Sequence, residues 1–197
     1  MRVVPLFALG SLWSCVLAGC THDTTERPVE ITTLPAPTSV HTPPQKPIDI
    51  DPTNLPNLGL VTRDVWRGGQ PSDVGLLTLA QAGVKTVIDL REEGPAETVP
   101  AGVRLVRLPV SAWHADNVDP VVLLHAIMDN PKPVFIHCRE GRDRTGLAVA
   151  IYRLSTGMSA AEACRELRNF HVNVWWQAPI ERRIYQLQPT LVRRSGS

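Results

Sequence analysis

Between Leu58 and Gln188 the apolar residues follow two spacings in turn, short β-rich runs that read as strands and three-to-four spacings that read as helices. Leu60 to Trp66 predicts a strand, ended by Arg67-Gly68-Gly69-Gln70-Pro71. Ser72 then suits an N-cap for a helix to about Ala82, with Gly83 in the position after its end. Val84 to Leu90 predicts a buried strand, Arg91 to Gly102 a polar loop with two prolines, and Val103 to Leu108 another strand. Asp119-Pro120 places a capping carboxylate before a proline at N1, opening a helix to about Asn130. Pro133 to Ile136 is a short apolar strand, and Thr145 to Thr156 is helical, stopped by Gly157. Ser159-Ala160-Ala161-Glu162 is a capping box for a helix reaching Phe170, and a last helix is expected from near Pro179 to near Gln188. Strands alternating with helices predict an α/β domain, a small central mostly parallel sheet flanked by helices.

The two ends change that picture. Arg2 precedes an apolar run from Val3 to Leu17, too short to span a bilayer comfortably, which closes on Leu17-Ala18-Gly19-Cys20. This reads as a secretory signal, residues 1–19. LAGC resembles the lipobox of bacterial lipoproteins, which implies cleavage before Cys20 and lipids on that cysteine. Thr21 follows it, so the aspartate associated with inner-membrane retention is missing. The expectation is a membrane anchor facing the periplasm, on the outer membrane, with an ordinary signal peptide as the alternative. Residues 20–57 are rich in Pro and Thr with few large apolar side chains, and read as a disordered N-terminal tether. The folded domain is expected over 58–190, with 191–197 a frayed tail.

The chain has 197 residues, 20 Lys+Arg and 19 Asp+Glu. Residues 1–19 hold Arg2 and no acid, so the remainder carries 19 of each, and no bulk field favours nucleic acid or an anionic membrane. Of four cysteines, Cys15 leaves with the signal and Cys20 is at the cleavage point. Cys138 and Cys164 remain. A disulfide between them is possible in an exported protein, but Cys164 follows Ala160 and Ala161 at helical spacing, as a small core residue does. No histidine or cysteine cluster has metal-ligand spacing, so neither a metal nor a cofactor is expected.

The informative chemistry is local. His137 to Gly146 reads HCREGRDRTG, between a strand and a helix. The turn there must expose main-chain N–H groups at a helix N-terminus, which favours an anion and the thiolate form of a cysteine. Arg144 offers a planar fork matched to two phosphate oxygens, and Gly141 and Gly146 allow close backbone approach.

The order His-Cys-x5-Arg-Thr-Gly resembles the signature of the cysteine-dependent protein tyrosine and dual-specificity phosphatases. VWRGGQPS at Val65 to Ser72, GVKTVIDLREE at Gly83 to Glu93 and AVAIYRL at Ala148 to Leu154 are similar to a bacterial subgroup of that superfamily. The resemblance implies a dual-specificity phosphatase-like fold, with Cys138 as nucleophile through a phosphocysteine intermediate. It implies that Arg144 and the loop Arg139, Glu140, Gly141, Arg142, Asp143 and Arg144 bind the phosphate. Thr145 would donate to the leaving thiolate, and His137 would order the loop. The family's general acid is an aspartate on the preceding strand-to-helix loop, here Pro109 to Asp119. Asp119 is explained as a helix cap, so Asp116 is the candidate, with His114 and Asp119 as alternatives.

Several points stay open. Arg139 and Arg142 either receive a second phosphate, as in relatives acting on inositol lipids or inositol phosphates, or face solvent with Asp143 paired to one of them. Trp175, Trp176 and Gln177 either line the pocket or pack a helix; Arg67 and Gln70 read as structural. The expected substrate is a phosphorylated protein, lipid or small molecule, handled by a monomer. A non-catalytic phosphoryl-binding module and a rhodanese-like sulfur transferase are the competing classes. The five-residue gap to Arg144 and the Thr145-Gly146 pair disfavour the last.

Overall fold

A computed structural model describes residues 51–111, 113–114 and 118–192. Cys20, the signal and tether, Asp116 and residues 193–197 lie outside these. Strands β1 (Gly59–Leu60), β2 (Val65–Gly68), β3 (Thr86–Asp89), β4 (Arg104–Arg107) and β5 (Val134–His137) form one sheet. Its order is β1-β2-β5-β3-β4, parallel except for β1. The helices are α1 (Asp73–Gln81), α2 (Pro120–Met128), α3 (Asp143–Ser155), α4 (Ala160–Asn169) and α5 (Val174–Val192).

Both faces of the sheet are covered, as a mostly parallel sheet requires. On β5, Val134 and Ile136 face a core shared with Leu147, Ile151, Leu167, Ile180 and Ile184 from α3, α4 and α5. Phe135 points the other way, onto Leu76 and Leu79 of α1. The period-two alternation of a strand thus sorts one sequence between two cores. β5 is central, so its C-terminal end opens between β2 and β3, with Gly68 and Asp89 in register with His137.

The expected caps form. Ser72 accepts from the Gly75 N–H at 3.1 Å, Asp119 from Val121 at 2.8 Å, and Ser159 with Glu162 closes a capping box. Two expected elements are corrected. Leu60 to Trp66 is not one strand but a turn between β1 and β2, because the Thr62 hydroxyl accepts from both Asp64 and Val65 N–H and folds the polar Thr62-Arg63-Asp64 back. The last helix starts at Val174, five residues before Pro179. There the Asn173 side chain caps Trp175 N–H at 3.0 Å, and burial of Ile180 and Ile184 outweighs the helix bond Pro179 cannot donate. The packed chain also extends upstream of Leu58. Leu55 is 1% exposed, and Asn54 receives hydrogen bonds from Ser72 N and Oγ at 3.0 and 2.6 Å.

Candidate active site

Cys138 directly follows β5 and is buried, at the mouth of the loop that leads into α3. The residue before α3, Arg142, makes no side-chain cap. The first N–H groups of a thirteen-residue helix are therefore left for an anion, with the positive end of its dipole behind them. Gly141 makes the loop tight. Its φ is +72°, and an added Cβ would lie 2.4 Å from the backbone of Gly68 and Gly69. Three further bonds pin this loop to β2 and the upstream chain. Gln70 N–H donates to Arg139 O at 3.1 Å, Asn57 Nδ2 to Gly141 O at 3.0 Å, and the buried Arg67 Nη2 to the same carbonyl at 2.7 Å. The Arg67 guanidinium stacks 3.7 Å from the Phe170 ring centroid, and burial pulls its pKa down to about 10.

Arg144 is buried but not unpartnered. Its Nη1 and Nη2 donate to Glu93 Oε2 and Oε1, both at 2.9 Å, and Nη1 also donates to Val110 O at 3.4 Å. A guanidinium carries five N–H donors. These three bonds use both Nη1 hydrogens and one of Nη2. The Nε–H and the second Nη2 hydrogen share the opposite edge of the fork, a parallel pair suited to two phosphate oxygens. Glu93 thus fixes the arginine's orientation without taking that edge. The same bonds hold the Glu93 carboxyl down to about 2.

The other loop residues sort by exposure. Arg139, Glu140 and Arg142 are exposed, and Arg142 Nη1 lies 3.3 Å from Glu140 Oε2. A cavity of about 560 Å³ beside the loop is lined by Arg139, Glu140, Arg142, His171, Pro56 and Asn57. Arg142 thus pairs with Glu140 and not with Asp143, which accepts the Asn173 N–H at 2.8 Å and whose carboxyl burial pushes upward. The buried Thr145 hydroxyl reaches Gly68 O at 3.5 Å. Asp119 is engaged as the cap of α2, and His114 is exposed. Trp176 packs on the core and edge-on against Trp113, with ring centroids 6.3 Å apart, whereas Trp175 is 83% exposed. Gln177 donates to Glu181 at 2.9 Å. Cys164 is a buried free thiol pushed up to about 11 by burial, and Cys138 is also free.

Behind Cys138, Asp89, Glu97 and His137 bring ligand-type atoms within 4.8 Å of one another. A cation there would face the Arg91 guanidinium, whose Nη2 lies 2.9 Å from Asp89 and 3.1 Å from Glu97. Positive charge is already supplied, so this set fits a metal poorly. Glu93 and Glu97 are the residues that sequence reasoning missed. The only local hint was the adjacent acids Glu92-Glu93 just beyond the C-terminal end of β3, where parallel sheets collect their ligands.

Residues 59–178 match the family described as "DSP-PTPase phosphatase fused to NAD+ Kinase". The chain is 33% identical over 104 residues to the dual specificity protein phosphatase TpbA of Pseudomonas aeruginosa strain UCBPP-PA14, covering 50% of this chain and 46% of that protein. It is 35% identical over 100 residues to "Probable NAD kinase 2, chloroplastic" of Oryza sativa subsp. japonica, covering 45% of this chain and 10% of that one. The chain therefore spans less than half the length of these curated relatives. The crystal structure of P. aeruginosa TpbA in complex with pTyr superposes with a TM-score of 0.56 at 26% identity, covering 72% of this chain and 93% of that one.

Proposed function

The chain belongs to the family of DSP-PTPase phosphatases described as fused to NAD+ kinase, and from that premise we propose that it hydrolyses phosphate monoesters through a phosphocysteine on Cys138. The observation that carries this reading is the pairing of a buried cysteine at an uncapped helix N-terminus with an arginine whose free fork edge is held in place by Glu93. In the first step the Cys138 thiolate attacks phosphorus as the bond to the leaving alcohol breaks. Arg144 and the main-chain N–H groups of Arg139 to Arg144 bind the equatorial oxygens, whose charge rises in the transition state. A general acid protonates the departing oxygen, and the same group then takes a proton from the water that attacks the phosphocysteine. Asp116 is our candidate for it, supported by the engagement of Asp119 in capping α2. Thr145 donates its hydroxyl to the thiolate released in the second step.

Hydrolysis of an aryl phosphate by wild type and Cys138→Ser tests the mechanism. We expect turnover to vanish while vanadate binding persists; equal turnover would sink the enzyme reading and leave a phosphoryl-binding module. In Asp116→Asn the alkaline limb of the pH–rate profile should disappear, and an unaltered limb would move the role to His114 or Asp119. Phosphotyrosine is our first substrate class, supported by the pTyr complex of TpbA. A second reading, an inositol-phosphate or phosphoinositide substrate, is favoured by the cavity that Arg139 and Arg142 line beside the cradle. A panel of phosphopeptides and inositol phosphates separates the two by kcat/KM.

We also propose that Cys20 carries the lipid of a periplasm-facing anchor. Among the described residues no helix is long and apolar enough to cross a membrane. Incorporation of labelled palmitate into wild type but not Cys20→Ala is the expected result, and equal labelling would discard the anchor.

A further inference from the structure

The exposed tryptophans of the domain gather at one place. Among the described residues Trp66 is buried and Trp176 half-buried, whereas Trp113 is 71% and Trp175 83% exposed, with Val174 beside the latter at 78%. Both exposed rings belong to the C-terminal edge of the parallel strands, where the loop after Cys138 lies. Val110 O, three residues before Trp113, accepts from Arg144, and the Asn173 N–H, just ahead of α5, donates to Asp143. The Trp176 ring packs on the core and meets Trp113 edge-on at 6.3 Å, joining that stretch to the first turn of α5. Neither exposed indole N–H finds an acceptor among the described residues.

Two indoles and a valine offer roughly 500 Å², short of the ~800 Å² per partner that a stable protein interface buries. A second copy of the chain is thus a poor occupant. An acidic partner has little to grip either. Arg142 pairs with Glu140 and Arg144 with Glu93, which leaves Arg139 as the loop arginine without an ion pair among the described residues. What the surface suits is a lipid–water boundary, where an indole buries its rings and keeps its N–H among headgroups. The entering chain joins the domain at this same edge. Asn54 accepts from Ser72, the cap at the start of α1, and Asn57 donates to Gly141 O. Thirty-one positions separate Asp51 from Cys20, at most ~110 Å of fully extended chain. An acylated Cys20 would therefore keep this edge at high local concentration beside a bilayer, where weak contacts suffice.

We propose that this edge is a membrane-docking face, with Trp113, Val174 and Trp175 seated in the headgroup region of a bilayer beside the loop after Cys138. The proposal takes from the preceding section only the anchor at Cys20. Its test uses the full chain with an N-terminal histidine tag, held by nickel-chelating lipid on vesicles of phosphatidylethanolamine and phosphatidylglycerol. Attachment to the surface then does not depend on acylation. Acyl chains brominated near the headgroup quench the tryptophans that reach them. We expect quenching in wild type, and its amplitude should fall about threefold in the Trp113→Ser/Trp175→Ser variant, as befits loss of the interfacial indoles. Added salt should change the quenching little, because the contact is apolar. Equal quenching in the two proteins overturns the proposal. So does quenching that salt abolishes, which would give the contact to the arginines. A dimer in solution that Trp175→Ser dissolves would assign the face to a second copy and overturn it too. Should the double variant misfold, Trp175→Ser decides alone, its ring being exposed. An unlabelled Cys20 would discard the anchor and an inactive wild type the phosphatase reading, each read apart from the quenching.

Discussion

Arg144 and Glu93 show how much of this site a single residue can carry. Arg144, which we propose binds phosphate, could be singled out because its spacing from Cys138 lies inside one loop. Its partner could not, since Glu93 stands 51 positions away and only the β3–β5 pairing brings the two together. Glu97 was hidden for the same reason: a loop residue acquires meaning from what it docks against, and no periodicity marks it. Glu93→Gln should leave the fold intact and lower kcat/KM for an aryl phosphate roughly 10- to 100-fold, about the worth of a charge-assisted hydrogen bond. The pH dependence has a defined sign. Glu93 is held down to about 2, so its contribution to stability is full above the ordinary carboxyl range near 4.5 and is lost as pH falls toward 2. Urea midpoints of wild type and Glu93→Gln should therefore differ most above pH 5 and converge near pH 2.

At the scale of elements, caps were the most readable features, because a cap is written within four residues. Ser72, Asp119 and the Ser159–Glu162 box all form as local chemistry dictates. Elements whose limits depend on tertiary packing were harder to read. Asn173 begins α5 because Asp143, at the start of α3, holds its N–H in place, and no local rule announces that contact. Arg67 plays a similar long-range part, joining β2 to the phosphate loop through Gly141 O and to the end of α4 through Phe170. Arg67→Met should cost ~2 kcal/mol in urea denaturation and depress kcat, since the Gly141 carbonyl loses its donor. Ser159→Ala provides the contrast. It should cost ~1 kcal/mol and leave kcat unchanged, because that cap lies outside the loop's hydrogen-bond network.

For the whole molecule, the alternation of strands and helices was enough to predict a mostly parallel sheet flanked by helices. The start of the packed domain was harder to read, since Pro-rich sequence looks the same whether it is solvated or pressed against a sheet. Leu55 occupies the core between α1 and the sheet, and Asn57 reaches the phosphate loop. A protein lacking residues 1–50 should match the full chain in thermal midpoint and kcat/KM. One lacking residues 1–57 should be less stable by about 3 kcal/mol, the scale of emptying a buried leucine site, and catalytically impaired. Equal midpoints for the two truncations would show that residues 51–57 contribute nothing to the core.

That short stretch has a mechanical consequence. Pro56 O receives the Gly69 N–H at 2.7 Å, and Asn57 grips Gly141 O, so the entering chain supports the loop after Cys138. Tension drawn along the chain from upstream of Asp51 would load the Asn54–Ser72 bonds and the Leu55 core site first, and then these supports of the loop. The loop proposed to cradle phosphate thus feels a pull once those first anchors yield, and turnover under stretching force should slow before the sheet comes apart.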